Sequence, residues 1–153
     1  MEKIREIEIV NRCYLDDADP EYFNATVICN GEKVEGIITE GDKEYLFFGA
    51  ISEDRFFLVQ GLTDDIGYAT AYKGIKEDNI YIGTQFAMND FIKIGLKEST
   101  IKVGGEKEIS KEDLKELKQK IKEKSKNLNE SSRQLYKEKY KKEESKVLLY
   151  SKK

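Results

Sequence analysis

The sequence predicts an α+β chain that is mainly antiparallel β: a meander of 8–9 strands forming a barrel-like or strongly curved sheet, followed by a C-terminal helical segment. Three observations carry this expectation. Turn-forming clusters recur roughly every ten residues from Asn30 onward. The runs between them are rich in β-branched and aromatic residues and alternate in polarity. After Gly104-Gly105 the apolar residues switch to helical spacing and lysine dominates.

Asn30-Gly31 is the strongest turn signal, because that pair readily takes the positive φ angles of a tight hairpin. Gly41-Asp42-Lys43, Ser52-Glu53-Asp54, Thr63-Asp64-Asp65, Lys76-Glu77-Asp78-Asn79 and Asn89-Asp90 follow it. They place strands near 3–13, 22–29, 33–40, 44–51, 55–62, 66–75, 79–88, 91–97 and 100–103. Ile7 and Ile9 oppose Glu6 and Glu8. Ile80, Ile82, Phe86 and Met88 share one face, and Ile92, Ile94 and Leu96 share another with Lys93 and Lys97 opposite. Such alternation marks antiparallel sheet with one side in water. Pro20 falls in a connection, as strand geometry requires. Gly49, Gly61, Gly67, Gly74, Gly83 and Gly95 lie inside strands and indicate bends or bulges. A meander of this kind closes as an up-and-down barrel or splits into two packed sheets, and closure is favoured because it removes exposed edges.

The β domain is expected over 1–105 and a lysine-rich helical arm, packed on it, over 106–153. Ser110 with Asp113 three residues later marks the helix start. Leu114, Leu117, Ile121, Leu128 and Leu135 recur at helical spacing, but Lys124, Ser131 and Glu138 sit where a coiled coil needs apolar partners. The stripe therefore suits packing against the sheet. A break is expected over 127–132, then a second helix through Tyr140, with Lys146-Val147-Leu148-Leu149-Tyr150 returning as a strand or docking segment.

The chain has 153 residues and a net charge of −3, which conceals a division. Residues 110–153 hold 15 basic and 8 acidic side chains, leaving 12 basic and 22 acidic before them. An acidic body and a basic arm can hold each other, or each can seek an outside partner of opposite charge. There is no histidine, so Ser-His-Asp and Cys-His activation and histidine metal sites are excluded. No GxxxxGK[ST] or GxGxxG run is present to cradle phosphate. Cys13 and Cys29 have no zinc-ligand spacing and read as buried thiols. Asp16-Asp17-Ala18-Asp19-Pro20-Glu21 lacks the glycine and distal glutamate of a calcium loop. No cofactor or metal is expected. No run approaches the roughly 20 apolar residues of a membrane span, and the charged start lacks an apolar signal core. A cytoplasmic protein is expected, in the host cytoplasm if the chain is viral.

These exclusions lean away from an enzyme and toward a non-catalytic binding protein. The leading expectation is an acidic β body that recognises a partner protein, including inhibition of a basic, nucleic-acid-binding partner by charge mimicry. The candidate ligand or partner contacts are Tyr68, Thr70 and Tyr72, which share one strand face, and Asp64 and Asp65. A small-ligand barrel is the first alternative. Nucleic-acid binding through the arm is the second, using Lys120, Lys124, Arg133, Tyr136, Lys137, Tyr140 and Lys141, because lysines neutralise phosphates and aromatic rings stack on bases. The helix is also a candidate contact between copies of the chain.

Overall fold

A computed structural model describes residues 2–13, 19–61, 68–89 and 93–135, with side chains at 2–13, 19–61, 70–88 and 96–130. Eight strands run in sequence order: β1 (Glu2–Cys13), β2 (Glu21–Asn30), β3 (Lys33–Glu40), β4 (Lys43–Ile51), β5 (Arg55–Gly61), β6 (Tyr68–Glu77), β7 (Ile80–Asn89) and β8 (Lys93–Glu106). Each pairs antiparallel with the next, and β1 pairs with β8, so the sheet is a closed barrel. One helix, α1 (Lys111–Leu135), follows.

Two hairpin loops are set by glycine. Gly31 and Gly41 each take φ 65° as the first loop residue between the pairs Asn30↔Lys33 and Glu40↔Lys43. A left-handed residue at that position matches the strand twist, and glycine takes it without penalty. The first loop is thus Gly31-Glu32, one residue later than the Asn30-Gly31 turn expected.

The last two expected strands are one strand of 14 residues. Glu98-Ser99-Thr100 looks like a turn in sequence, but Ser99 is fully buried against Asn11. A bulge interrupts the closing ladder, where Arg5↔Glu106 is followed by Ile7↔Val103. Gly104 and Gly105 occupy the bulged stretch, so β8 continues through the glycine pair that had marked its end.

Ile7, Ile9, Val27, Val34, Ile38, Phe47, Leu58, Tyr72 and Ile101 fill the barrel at 2% exposure or less. Phe47 meets Tyr72 edge-to-face at 6.0 Å, and Phe56 meets Tyr81 at 5.7 Å. The barrel is plugged at mid-height. Ile7 and Ile9 point inward as expected, but β7 is inverted. Tyr81 and Gln85 are buried, whereas Phe86 and Met88 are 42% and 37% exposed. The ladder explains this: Tyr81 is opposite Ile101, which is opposite Ile9, and that row must face the core. The same parity turns Leu96 outward at 51% exposure.

Helix α1 begins at a Ser110 cap whose Oγ accepts from Asp113 N–H at 3.1 Å. Leu117 and Ile121 are buried against Ile37 and Leu46, and Leu128 packs beside them. The helix runs through 127–132 without the expected break. Leu128 accounts for this, because it anchors that stretch over β4 and Gly61. Ion pairs join arm to body, Lys118 to Glu2 at 2.9 Å and Lys120 to Glu44 at 3.2 Å. Residues 136–153, including the second helix and the 146–150 segment, lie outside the described residues.

Gly74 and Gly83 face each other across β6 and β7, and a Cβ on Gly83 would lie 2.0 Å from the Lys73 carbonyl. Gly83→Ala is expected to lower the unfolding free energy by about 1–3 kcal/mol. Gly105→Ala, where an added Cβ meets nothing within 4 Å, should cost less than about 0.5 kcal/mol. Urea midpoints of the two variants check this; equal midpoints would contradict the close approach.

Candidate functional site

Position along the strands divides the inward-facing residues into a polar upper layer and a mainly apolar lower half. The upper end is where β1, β3, β5 and β7 finish. There Asn11, Gln60, Thr70, Gln85 and Ser99 are buried polar residues. Tyr72 belongs to this layer through its hydroxyl, which donates to Gln60 Oε1 at 3.4 Å and accepts from Gln85 Nε2 at 3.3 Å. Gln60 Nε2 in turn donates to Glu40 at 3.0 Å at the rim. Ser99 donates to Asn11 Oδ1 at 2.8 Å. Asn11 Nδ2 is buried without a hydrogen-bond partner among the described residues.

The lower end is where the 31–32, 52–54 and 78–79 turns lie. It opens into a cavity of about 890 Å³. Cys29, Val34, Ile51, Tyr81 and Val103 line its wall and floor, and Arg5 and Lys76 bring two positive charges. Arg5 is half-buried, and its Nη1 donates to the Gly104 carbonyl at 3.0 Å. The bulge at Gly104 thus holds the guanidinium in the mouth. Lys76 Nζ stands 6.0 Å from the centre of the Tyr81 ring, at the outer range of a cation–π contact. The Tyr81 hydroxyl donates to the Ser52 carbonyl at 2.7 Å and ties the floor to the rim. Glu32, Glu53 and Asp54 surround the opening.

Two groups in this mouth titrate away from their ordinary values. Burial raises the Cys29 thiol, and the Arg5 charge offsets part of that. Burial also raises the Tyr81 phenol, helped by the negative charges of Glu53 and then Asp54. Both effects favour neutral groups. Cys29 is a free thiol suited to lining a pocket rather than attacking a substrate. Among the described residues, no three cysteine, aspartate or glutamate side chains gather as metal ligands. No helix there is long and apolar enough to cross a membrane.

The candidates read from sequence scatter. Thr70 and Tyr72 do share a face, but it points into the core, so neither is a surface contact. The Tyr68 side chain and residues Asp64 and Asp65 lie outside the described residues, as do Asp16 and Asp17. In the arm, Lys120 pairs with Glu44, and Lys124 donates to the Glu44 carbonyl at 2.8 Å. These two lysines turn toward the body rather than toward a polyanion. The Arg133 side chain and residues Tyr136, Lys137, Tyr140 and Lys141 are outside the described set. Sequence reasoning missed Arg5 and Lys76, though a signal was present. Arg5 has the parity of Ile7 and Ile9, and Lys76 that of Tyr72 and Gly74, so each is a cation on an inward-facing row. The outer face of β5–β8 also carries an apolar strip, with Phe57, Ile75, Phe86, Met88 and Leu96 exposed.

Tyr72→Phe is expected to cost about 1–2 kcal/mol, the usual penalty for leaving buried hydrogen-bonding groups unpaired, measured by urea unfolding; an unchanged midpoint would mean the layer is held by packing alone. In a Cys13→Ser background, the alkylation rate of Cys29 should reach its half-maximum at higher pH in the folded protein than in urea. The sign also fixes a stability trend. A thiol whose folded pKa is raised contributes stability that is complete below its unfolded pKa and lost as pH climbs through the folded one. Coincident alkylation profiles in the two states would contradict this. No protein-family model and no curated protein sequence matches the chain.

Proposed function

We propose that this protein is a non-catalytic binding protein, a β-barrel that receives a small ligand in its lower mouth. The observation that carries the reading is the cavity of about 890 Å³ at that end. Ligand sites typically enclose about 300–1,000 Å³, and mouths of barrels are a preferred location. Eight strands make a barrel just wide enough to fill with side chains or to hold one small ligand. Here the mid-height is filled, so the ligand is confined to the mouth. An apolar floor of Cys29, Val34, Ile51 and Val103 beneath a charged rim offers a ligand both contact area and groups that fix its orientation. The neutral thiol and phenol favour binding over nucleophilic chemistry.

The partner-protein reading has one observation on its side, the apolar strip on β5–β8 that α1 leaves uncovered. Nothing on that strip selects the chemistry of a partner, so it stands second.

A small-molecule library screened by amide chemical-shift changes tests the proposal. Hits should perturb Cys29, Ile51, Tyr81 and Val103 together. Ile51→Trp, which fills the mouth, should abolish them, while Ala50→Trp, one residue away and exposed, should not. Hits that survive Ile51→Trp, or that map only to Phe57, Phe86 and Leu96, would overturn the mouth as the site.

A further inference from the structure

The charges of the mouth are unevenly satisfied, and this narrows what fits there. Among the described residues, several lysines of the barrel and arm have carboxylate partners: Lys97 with Glu21, Lys107 with Glu6, Lys118 with Glu2 and Lys120 with Glu44. Arg5 has none among the described residues, although Glu6 follows it in sequence. Glu6 faces the other way and is taken by Lys107 and by the Thr26 hydroxyl at 2.9 Å. Arg5 therefore brings a half-buried, unneutralised guanidinium to a cavity wall. A carbonyl at 3.0 Å from Nη1 holds it in place but does not cancel its charge. Five N–H donors in a planar fork leave ample capacity for a planar anion. Lys76, with a ring beneath it and no carboxylate partner among the described residues, adds a second cation to the same opening.

The rim limits how much negative charge can enter. Glu32, Glu53 and Asp54 lie around the opening, so a doubly charged headgroup meets repulsion that a singly charged one meets half as strongly. Asp54 is partly engaged, 3.6 Å from Arg55 and accepting from Ser52 at 2.8 Å, whereas Glu32 and Glu53 are exposed. The cavity is larger than one carboxylate needs, and Val34, Ile51 and Val103 give an apolar stretch to an otherwise polar lining. Resting on the mouth as the ligand site, we propose that the ligand is a small organic monocarboxylate. Its carboxylate pairs with Arg5, and its apolar part lies on Val34, Ile51 and Val103.

Four probes of one chain length separate headgroup from body: decanoate, decanol, decyl phosphate and decylamine, each below its aggregation threshold. Calorimetry gives affinity, and in a Cys13→Ser background the rate of Cys29 alkylation reports occupancy of the mouth. Decanoate should bind at least about tenfold tighter than decanol, the gain expected of a charge-assisted pair, and should slow alkylation. Arg5→Gln should erase most of that preference. Arg5→Lys, which keeps the charge and loses the fork, should retain part of it; thermal unfolding checks that both variants are folded. Equal binding of decanoate and decanol with Cys29 protected would overturn the monocarboxylate while leaving the mouth site standing. Tighter binding of decyl phosphate or decylamine, or a preference that survives Arg5→Gln, would also overturn it. Failure of all four to bind or protect Cys29 would overturn it as well, and the library screen then decides the mouth site independently.

Discussion

The pairing of β1 with β8 is the constraint on which the rest of the molecule depends. Until those strands meet, each strand could bury either face. Once Ile9 lies opposite Ile101 and Phe23, the inward parity is set around the whole ladder. A shift of one residue would reverse every side chain, so closure selects one face of each strand at once. That choice buries Ile7 and Ile9, and it also forces inward Asn11, Gln60, Gln85 and Ser99. It leaves Phe57, Phe86 and Leu96 outside. The same parity carries Arg5, Cys29 and Lys76 to the lower opening, so closure and the candidate site share one origin.

Burying the upper polar layer is unfavourable unless its members find partners. Most of them do, through a chain from Gln85 to Tyr72, Gln60 and Glu40 and through the Ser99–Asn11 pair. Such a layer adds little net stability but penalises alternative registers, because a slipped strand would leave these groups unpaired. The aromatic and aliphatic residues below it, with Phe47 and Tyr72 at the centre, seal the interior. The polar layer and the ligand-sized cavity are thus on opposite sides of a packed plug, and the lower end combines open volume with a guanidinium that no described carboxylate pairs with.

Much of the fold was legible in the sequence because turns and alternation are local. Most strand positions, the meander order and the Ser110 cap follow from residues within a few positions of one another, while closure is expected only on the general ground that it removes exposed edges. What was not legible depends on partners far along the chain. The face of β7 is decided by Ile101 and Ile9, not by its own apolar count. Continuity of β8 through Ser99 depends on Asn11, 88 positions away. Continuity of α1 past 127 depends on Leu128 reaching the β-sheet surface. For the site, Thr70 and Tyr72 do share one face, but its burial was not visible in the sequence. Arg5 and Lys76 were visible as parity violations; their meeting at one opening required the closed ladder.

The division between acidic body and basic arm takes on a different meaning in this arrangement. Exposed ion pairs contribute at most about 1 kcal/mol each, so Lys118–Glu2 and Lys120–Glu44 do not by themselves hold α1 in place. The burial of Leu117 and Ile121 on Ile37 and Leu46 does most of that. The ion pairs instead orient a helix whose apolar stripe is narrow, one on each side of it. Their second effect is electrostatic. Lysines set against the body offset part of its negative charge near β3 and β4, where α1 lies. In the lower mouth no described carboxylate forms an ion pair with Arg5, although Glu32, Glu53 and Asp54 stand around the rim. On the proposed reading, a protein that sets arm lysines against its own carboxylates, yet leaves a half-buried guanidinium with no ion-pair partner among the described residues, keeps that charge for a ligand.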